Sequence, residues 1–204
     1  MKPHLLTHLA LGISVVGILG GCSESPPVDA ASAGEPTEPE IRRVQETGQA
    51  VAAELMKRLG GQLKGALQTG GPVAAIAVCQ QTALPLTEAS GAAFEGVTIR
   101  RTTLKPRNPA NAPDALDREV LDRFAGEAGL ASVIEWEAET ARYYQPLAIQ
   151  EICLKCHGDP ATFPEPLVKA LAEAYPEDQA IGYELNDLRG VIRVDIARSD
   201  EDSH

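Results

Sequence analysis

The chain is poor in histidine, methionine and positive charge. Among 204 residues there are four histidines and two methionines, and 18 Lys+Arg stand against 29 Asp+Glu, a formal net charge of −11 at pH 7. A balance this acidic argues against binding nucleic acid. Leu9 to Leu19 is an apolar run too short to span a bilayer, and no later segment is long and apolar enough to do so. His4 and His8 fall in the first twenty-two residues, leaving only His157 and His204 beyond them. A peroxidase-like site needs a distal acid–base group, usually histidine. None is spare, so enzymatic activity is not expected. A structural zinc site would need a second ligand pair at suitable spacing, and there is none.

Cysteine is scarce too, but its placement is informative. The four cysteines are Cys22, Cys79, Cys153 and Cys156. The last two belong to Cys153-Leu154-Lys155-Cys156-His157, the covalent attachment signature of c-type haem. Each thiol adds across a haem vinyl group, and the adjacent histidine becomes the proximal iron ligand. One covalently attached haem c is therefore expected, with Cys153 and Cys156 as tethers and His157 as axial ligand. A thiol–disulfide oxidoreductase using Cys153 and Cys156 is disfavoured by His157 directly after the second cysteine. The lack of a thioredoxin-like βαβ start argues against it as well.

The N-terminus agrees with an exported haem protein. Lys2 opens a weakly basic region, Leu9 to Leu19 has the length of a signal-peptide core, and Leu19-Gly20-Gly21-Cys22 resembles a bacterial lipoprotein processing site. Residues 1–21 are expected to be a leader, with Cys22 the lipidated first residue anchoring the chain to a membrane. Ser23, rather than Asp, points onward to the outer membrane. Attachment of c-type haem takes place on the periplasmic side, which fits this localisation. Residues 22–40 are rich in Pro, Ser, Ala and Glu and read as a flexible tether. Residues 41–198 suffice for one domain, and 199–204 form a polar tail. The acidic surface suits docking with a basic periplasmic redox partner or signalling protein.

Ile41, Val44, Gly48, Val51, Leu55 and Leu59 recur at three- and four-residue steps and predict an amphipathic helix. Gly60-Gly61 is expected to interrupt it, with another turn or two before Gly70-Gly71. Pro72 suits the first turn of a second helix. Val73 to Val78 is apolar on every side and is expected to be buried, carrying Cys79 and continuing towards Pro85 or slightly beyond. Strands are predicted at Val97–Thr103, Ser132–Glu137, Thr140–Ile149 and Leu188–Ala197, the middle two as a hairpin. Arg100 and Arg101 alternate, so one of them should face inward. The three prolines of 105–114 exclude regular structure, Asp114 caps a helix to about Ala125, and Pro166–Ala174 is a short helix. The fold class is α+β with one mainly antiparallel sheet.

Four segments together resemble a bacterial family of PAS-like, single-haem c-type proteins. They are Ala74-Ala75-Ile76-Ala77-Val78-Cys79, Arg101 to Asn111 (RTTLKPRNPAN), Cys153 to Gly158, and Asp187-Leu188-Arg189-Gly190. Asn186-Asp187 stands where the family pattern has Gly-Asp. The resemblance implies a PAS-like antiparallel sheet flanked by helices, with an N-terminal helical segment. In that family the domain stands alone or serves as a sensor module.

Counting leaves the second iron ligand open. His204 ends a polar tail, Met56 between Leu55 and Leu59 reads as a core thioether, and a lysine would have to lose its proton. Cys79 has no disulfide partner left and is either a ligand or a small core residue. The resemblance implies the former, His157 and Cys79 holding opposite faces of the iron. Such thiolate ligation implies a low reduction potential and coordination that changes with redox state. That suits redox or small-ligand sensing, while simple low-potential electron transfer is the alternative. Lys105 and Arg107 are candidates for pairing with the haem propionates. Asn108 and Asn111 are expected to bond the loop backbone. Trp136, Tyr143 and Tyr144 either line the haem or fill the sheet, with packing favoured for Trp136.

Overall fold

The structure is a computed structural model and describes residues 35–127 and 129–198. The expected leader (1–21), Cys22, most of the tether and the tail with His204 lie outside the described residues.

Helix α1 (Glu38–Gly91) starts three residues before Ile41 because Thr37 caps it. The Thr37 Oγ1 accepts from the Glu40 N–H at 3.4 Å, and Pro39 sits in the first turn, where no N–H is needed. Glu40, assigned from sequence to the tether, is 2% exposed. Its carboxylate receives Arg198 Nε at 2.8 Å and Nη2 at 3.2 Å, joining the start of the domain to its end.

The expected interruption at Gly60-Gly61 does not occur; both are helical. Each costs about 1 kcal/mol against alanine, but Leu59, Leu63, Ala66 and Leu67 continue the apolar stripe through them. The break falls at Gly71, whose φ of 68° and ψ of −165° are open to glycine alone at little cost. Pro72 then starts a second arm. That arm runs past Pro85 to Gly91, because Ala83, Thr87, Ser90 and Gly91 are buried against the rest of the fold. Its apolar stretch is amphipathic rather than buried all round. Ala75 and Ile76 face inward, while Val73 is 43% exposed. Met56 is likewise a correction, at 41% exposed rather than in the core, because it falls off the Val51–Leu55 stripe.

Strands β1 (Val97–Thr102), β2 (Val133–Trp136), β3 (Thr140–Ala148) and β4 (Leu188–Ala197) form one antiparallel sheet of order β1-β4-β3-β2. The α+β class with an antiparallel sheet is as expected. Val97 pairs with Ile196 and Arg101 with Ile192, which fixes the faces by simple alternation. One face, with Val97, Ile99, Ala141, Tyr143, Ile192, Val194 and Ile196, packs on Val44, Val51, Ala52 and Leu55 of α1. Trp136 joins the edge of this core, as favoured from sequence.

The opposite face holds Val133, Tyr144 and Val191 against Val120 and Leu121 of α2 (Ala115–Gly126). Asp114 caps α2 through a reciprocal bond with Asp117, as predicted. Beneath α2 lies a buried polar layer. Tyr144 Oη donates to Asp117 Oδ1 at 3.1 Å, and Arg193 bridges Asp114, Asp117 and Asp195. The proline-bounded segment contains one 3₁₀ turn, Pro109–Asn111, capped by Asn108 Oδ1.

Two α-helices remain, with a 3₁₀ turn at Pro160–Thr162 between them. The Cys153–His157 segment lies in helix α3 (Glu151–His157), which follows β3, and α4 (Glu165–Ala174) comes after it.

Candidate functional site

The Gly71 break directs the second arm of α1, with Cys79, towards α3. Cys79, Cys153, Cys156 and His157 thereby line one cavity between the two helices. It has two adjoining lobes of about 130 and 170 Å³, and Leu63, Cys79, Arg107, His157 and Arg189 border both. The smaller lobe is apolar, walled by Leu67, Ala75, Ile76 and Ile152, and it contains both motif cysteines. The larger is the more polar of the two, adding Arg101, Asn108, Asn111 and Tyr175 to Leu59, Ala83 and Leu84. The structure thus brings His157, Cys79 and both thiols together.

His157 is held by its own backbone surroundings. Its Nδ1 lies 2.7 Å from the Ala180 carbonyl oxygen. A carbonyl can only accept, so Nδ1 carries the proton and Nε2 keeps a free lone pair. Burial pushes the imidazole pKa well below its usual value, and the charges of Arg107 and Arg189 add to this. The ring is therefore neutral at pH 7, the form that binds metal. Burial pushes the Cys79 thiol up, opposed by Arg101 and Arg107. Burial also raises Cys156, again opposed by Arg107.

The strip 178–183 carries Ala180 and is laced to the end of α3. Gly182 N–H donates to Gly158 O at 2.8 Å and Tyr183 N–H to His157 O at 3.0 Å. Arg107 reinforces this strip. Its Nε donates to Asp178 Oδ2 at 2.9 Å, and Nη2 donates to the carbonyls of Cys156 and Ala180. Lys105 Nζ donates to Ile181 O at 2.6 Å and lies 4.2 Å above the Tyr183 ring. Both residues proposed from sequence for anion pairing are thus engaged in holding the strip, although Arg107 still borders the cavity.

Sequence alternation left open which of Arg100 and Arg101 faces inward. Arg100 donates to Ala112 O on the α2 side at 2.8 Å, and Arg101 lines the cavity. Arg189 was missed as a site residue, although it stands within the Asp187-Leu188-Arg189-Gly190 segment. Its Nη1 donates to Thr103 Oγ1 at 3.1 Å and Lys105 O at 3.3 Å. Gly190 beside it is required. With φ of 151°, a Cβ there would lie 2.4 Å from the Thr102 carbonyl oxygen. Asn186, the departure from Gly-Asp, adopts φ of 71°, a left-handed conformation that asparagine tolerates better than most side chains. The turn is therefore kept. Tyr143 and Tyr144 are in the sheet core; Tyr175 and Tyr183 are the aromatic residues near His157.

Comparison with known proteins agrees with this fold. A solved structure described as the cyanobacterial haem protein Tll0287 is similar at 27% identity, with a TM-score of 0.57, over 80% of this chain and 98% of that one. No curated protein matches. The family model described as Tll0287-like matches residues 32–197, which take in both arms of α1, the whole sheet and every residue of the cavity; the chain belongs to the Tll0287-like family.

Proposed function

We propose that this domain binds one haem c covalently, with Cys153 and Cys156 as thioether tethers and His157 and Cys79 as axial ligands. The observation that carries this reading is the polarity of the cavity. Both attachment thiols sit in its apolar lobe, where vinyl groups belong, while Arg101, Asn108 and Asn111 are confined to the other lobe and Arg107 and Arg189 border both. His157 and Cys79 border both lobes and supply one nitrogen and one sulfur donor. That the similar cyanobacterial protein is a haem protein supports haem as the ligand. When bound, the group supplies a one-electron iron couple.

The chain's residues set its properties. Ala180 fixes Nε2 of His157 as the donor atom, and the Cys79 sulfur, as thiolate, favours ferric iron and lowers the potential below that of a His/Met site. This arrangement favours redox or small-ligand sensing or low-potential electron transfer over catalysis. We further propose that Cys22 is lipidated and tethers the domain to the periplasmic side of a membrane, the outer membrane by its Ser23.

Protein expressed in a periplasm with haem-attachment machinery should give the alkaline pyridine spectrum of covalently held haem. A colourless product would sink the reading. Electron paramagnetic resonance of the ferric form should give a low-spin thiolate signal. If Cys79→Ala leaves that signal unchanged, Cys79 is not the ligand.

A further inference from the structure

In a chain whose formal net charge is −11, three guanidinium groups converge on one cavity: Arg101, Arg107 and Arg189. Their acidic compensation is sparse. Among the described residues, Asp178 is the carboxylate ion-paired with any of them, and it is taken by Arg107. Arg189 donates to a hydroxyl and a carbonyl rather than to a carboxylate, and its guanidinium stands 5.5 Å from the Tyr183 ring. Arg101 Nε is buried with no hydrogen-bond partner among the described residues. A largely desolvated guanidinium without a carboxylate partner is costly, so Arg101 and Arg189 suit an anion brought from outside. Burial lowers the pKa of both groups, the expected response of cations lacking counter-charge.

The distribution of the lobes says which anion. The cavity that carries these cations also carries the tethering cysteines in its apolar part. A flat group held there by its vinyl edge would present its two carboxylates elsewhere. Resting on the haem reading above, we propose that Arg101 and Arg189 bind the haem propionates. Arg107 and Lys105 are positioning residues for the strip under His157. Arginine suits the role because its planar fork matches a carboxylate.

The test uses full-length holoprotein with Arg101→Gln, Arg189→Gln and Arg101→Lys. An alkaline pyridine spectrum first reports covalent haem, and its absence from wild type overturns the haem reading itself. With haem attached, each Gln variant leaves a propionate charge less compensated and so favours ferric iron. The expected change is about tenfold in the oxidised-to-reduced equilibrium, or about 59 mV for one electron. Arg101→Lys keeps the charge and should shift it less than threefold. Changes under twofold in both Gln variants overturn the proposal.

Should those variants not accumulate, the wild type answers alone. With ¹³C in the propionate carboxyl carbons, redox-difference infrared spectroscopy should show bands of arginine-paired carboxylates. Bands of freely solvated carboxylates would refute the assignment.

Discussion

Replacing Arg107 with methionine keeps much of the side-chain volume and removes the guanidinium that joins the 105–107 segment to α3 and the 178–180 strip. The Arg107–Asp178 pair is close, at 2.9 Å, and the two side chains are only 9% and 11% exposed. Breaking a buried pair strands the remaining charge and costs about 3–5 kcal/mol. The carbonyls of Cys156 and Ala180 also lose their donor. With a urea dependence of about 1–3 kcal/mol per molar, a 3 kcal/mol loss lowers the unfolding midpoint by about 1–3 M.

The assay is urea unfolding of wild type, Arg107→Met, Asp178→Asn and the double variant, followed by circular dichroism. A coupling energy of about 1.5–3 kcal/mol is expected, because Asp178→Asn removes the charge that the methionine variant strands. A single-variant loss under about 0.5 kcal/mol with no coupling would refute the fastening role of Arg107. Arg107 would then be free to serve an anion instead.

Other parts of the fold make separate predictions. Tyr144→Phe removes the hydroxyl that donates to buried Asp117 and should cost about 1.5–3 kcal/mol, the range for hydrogen bonds to charged groups, in a thermal or urea melt. Burial pushes the Asp114 pKa up, but the Asp117 N–H and Arg193 outweigh this and hold it below its usual value. That contribution is present above the unfolded pKa of about 3.9 and is lost as pH falls through the lower folded value. Asp114→Asn should therefore show a flatter loss of stability than wild type below about pH 4, measured by acid titration of the unfolding midpoint. A chain shortened to begin at Ile41 loses the Thr37 cap and leaves Arg198 without the Glu40 carboxylate. It should be destabilised by about 3 kcal/mol or more relative to one beginning at Glu35, by the same urea assay.

Periodicity made the first arm of α1 legible. Val44, Gly48, Val51 and Leu55 point to one side at helical spacing, and the structure buries that side. Gly60-Gly61 misled because helix propensity is local, whereas Leu59, Leu63 and Leu67 supply packing that propensity does not contain. Gly71-Pro72 was read correctly because both effects agree there: a positive φ followed by a residue lacking an N–H. The proposed attachment residues stood out in the sequence because that chemistry requires them to be contiguous. Arg101 could be narrowed only to one of two alternating arginines, since sidedness depends on its pairing with Ile192 in β4. The occupation of Arg107 was out of reach because its partner, Asp178, is remote in sequence and local patterns do not reveal long-range ion pairs.

The strand order β1-β4-β3-β2 puts the last strand in the chain between two earlier ones. β1 and β3 have no common neighbour until Leu188–Ala197 arrives, and Arg189 arrives with it. In chain order the Cys153–His157 segment therefore precedes the strand that completes the sheet. If haem is attached as proposed above, both thiols belong at that stage to an open chain, reachable by the attachment machinery. Closure by the final strand then determines when that access ends.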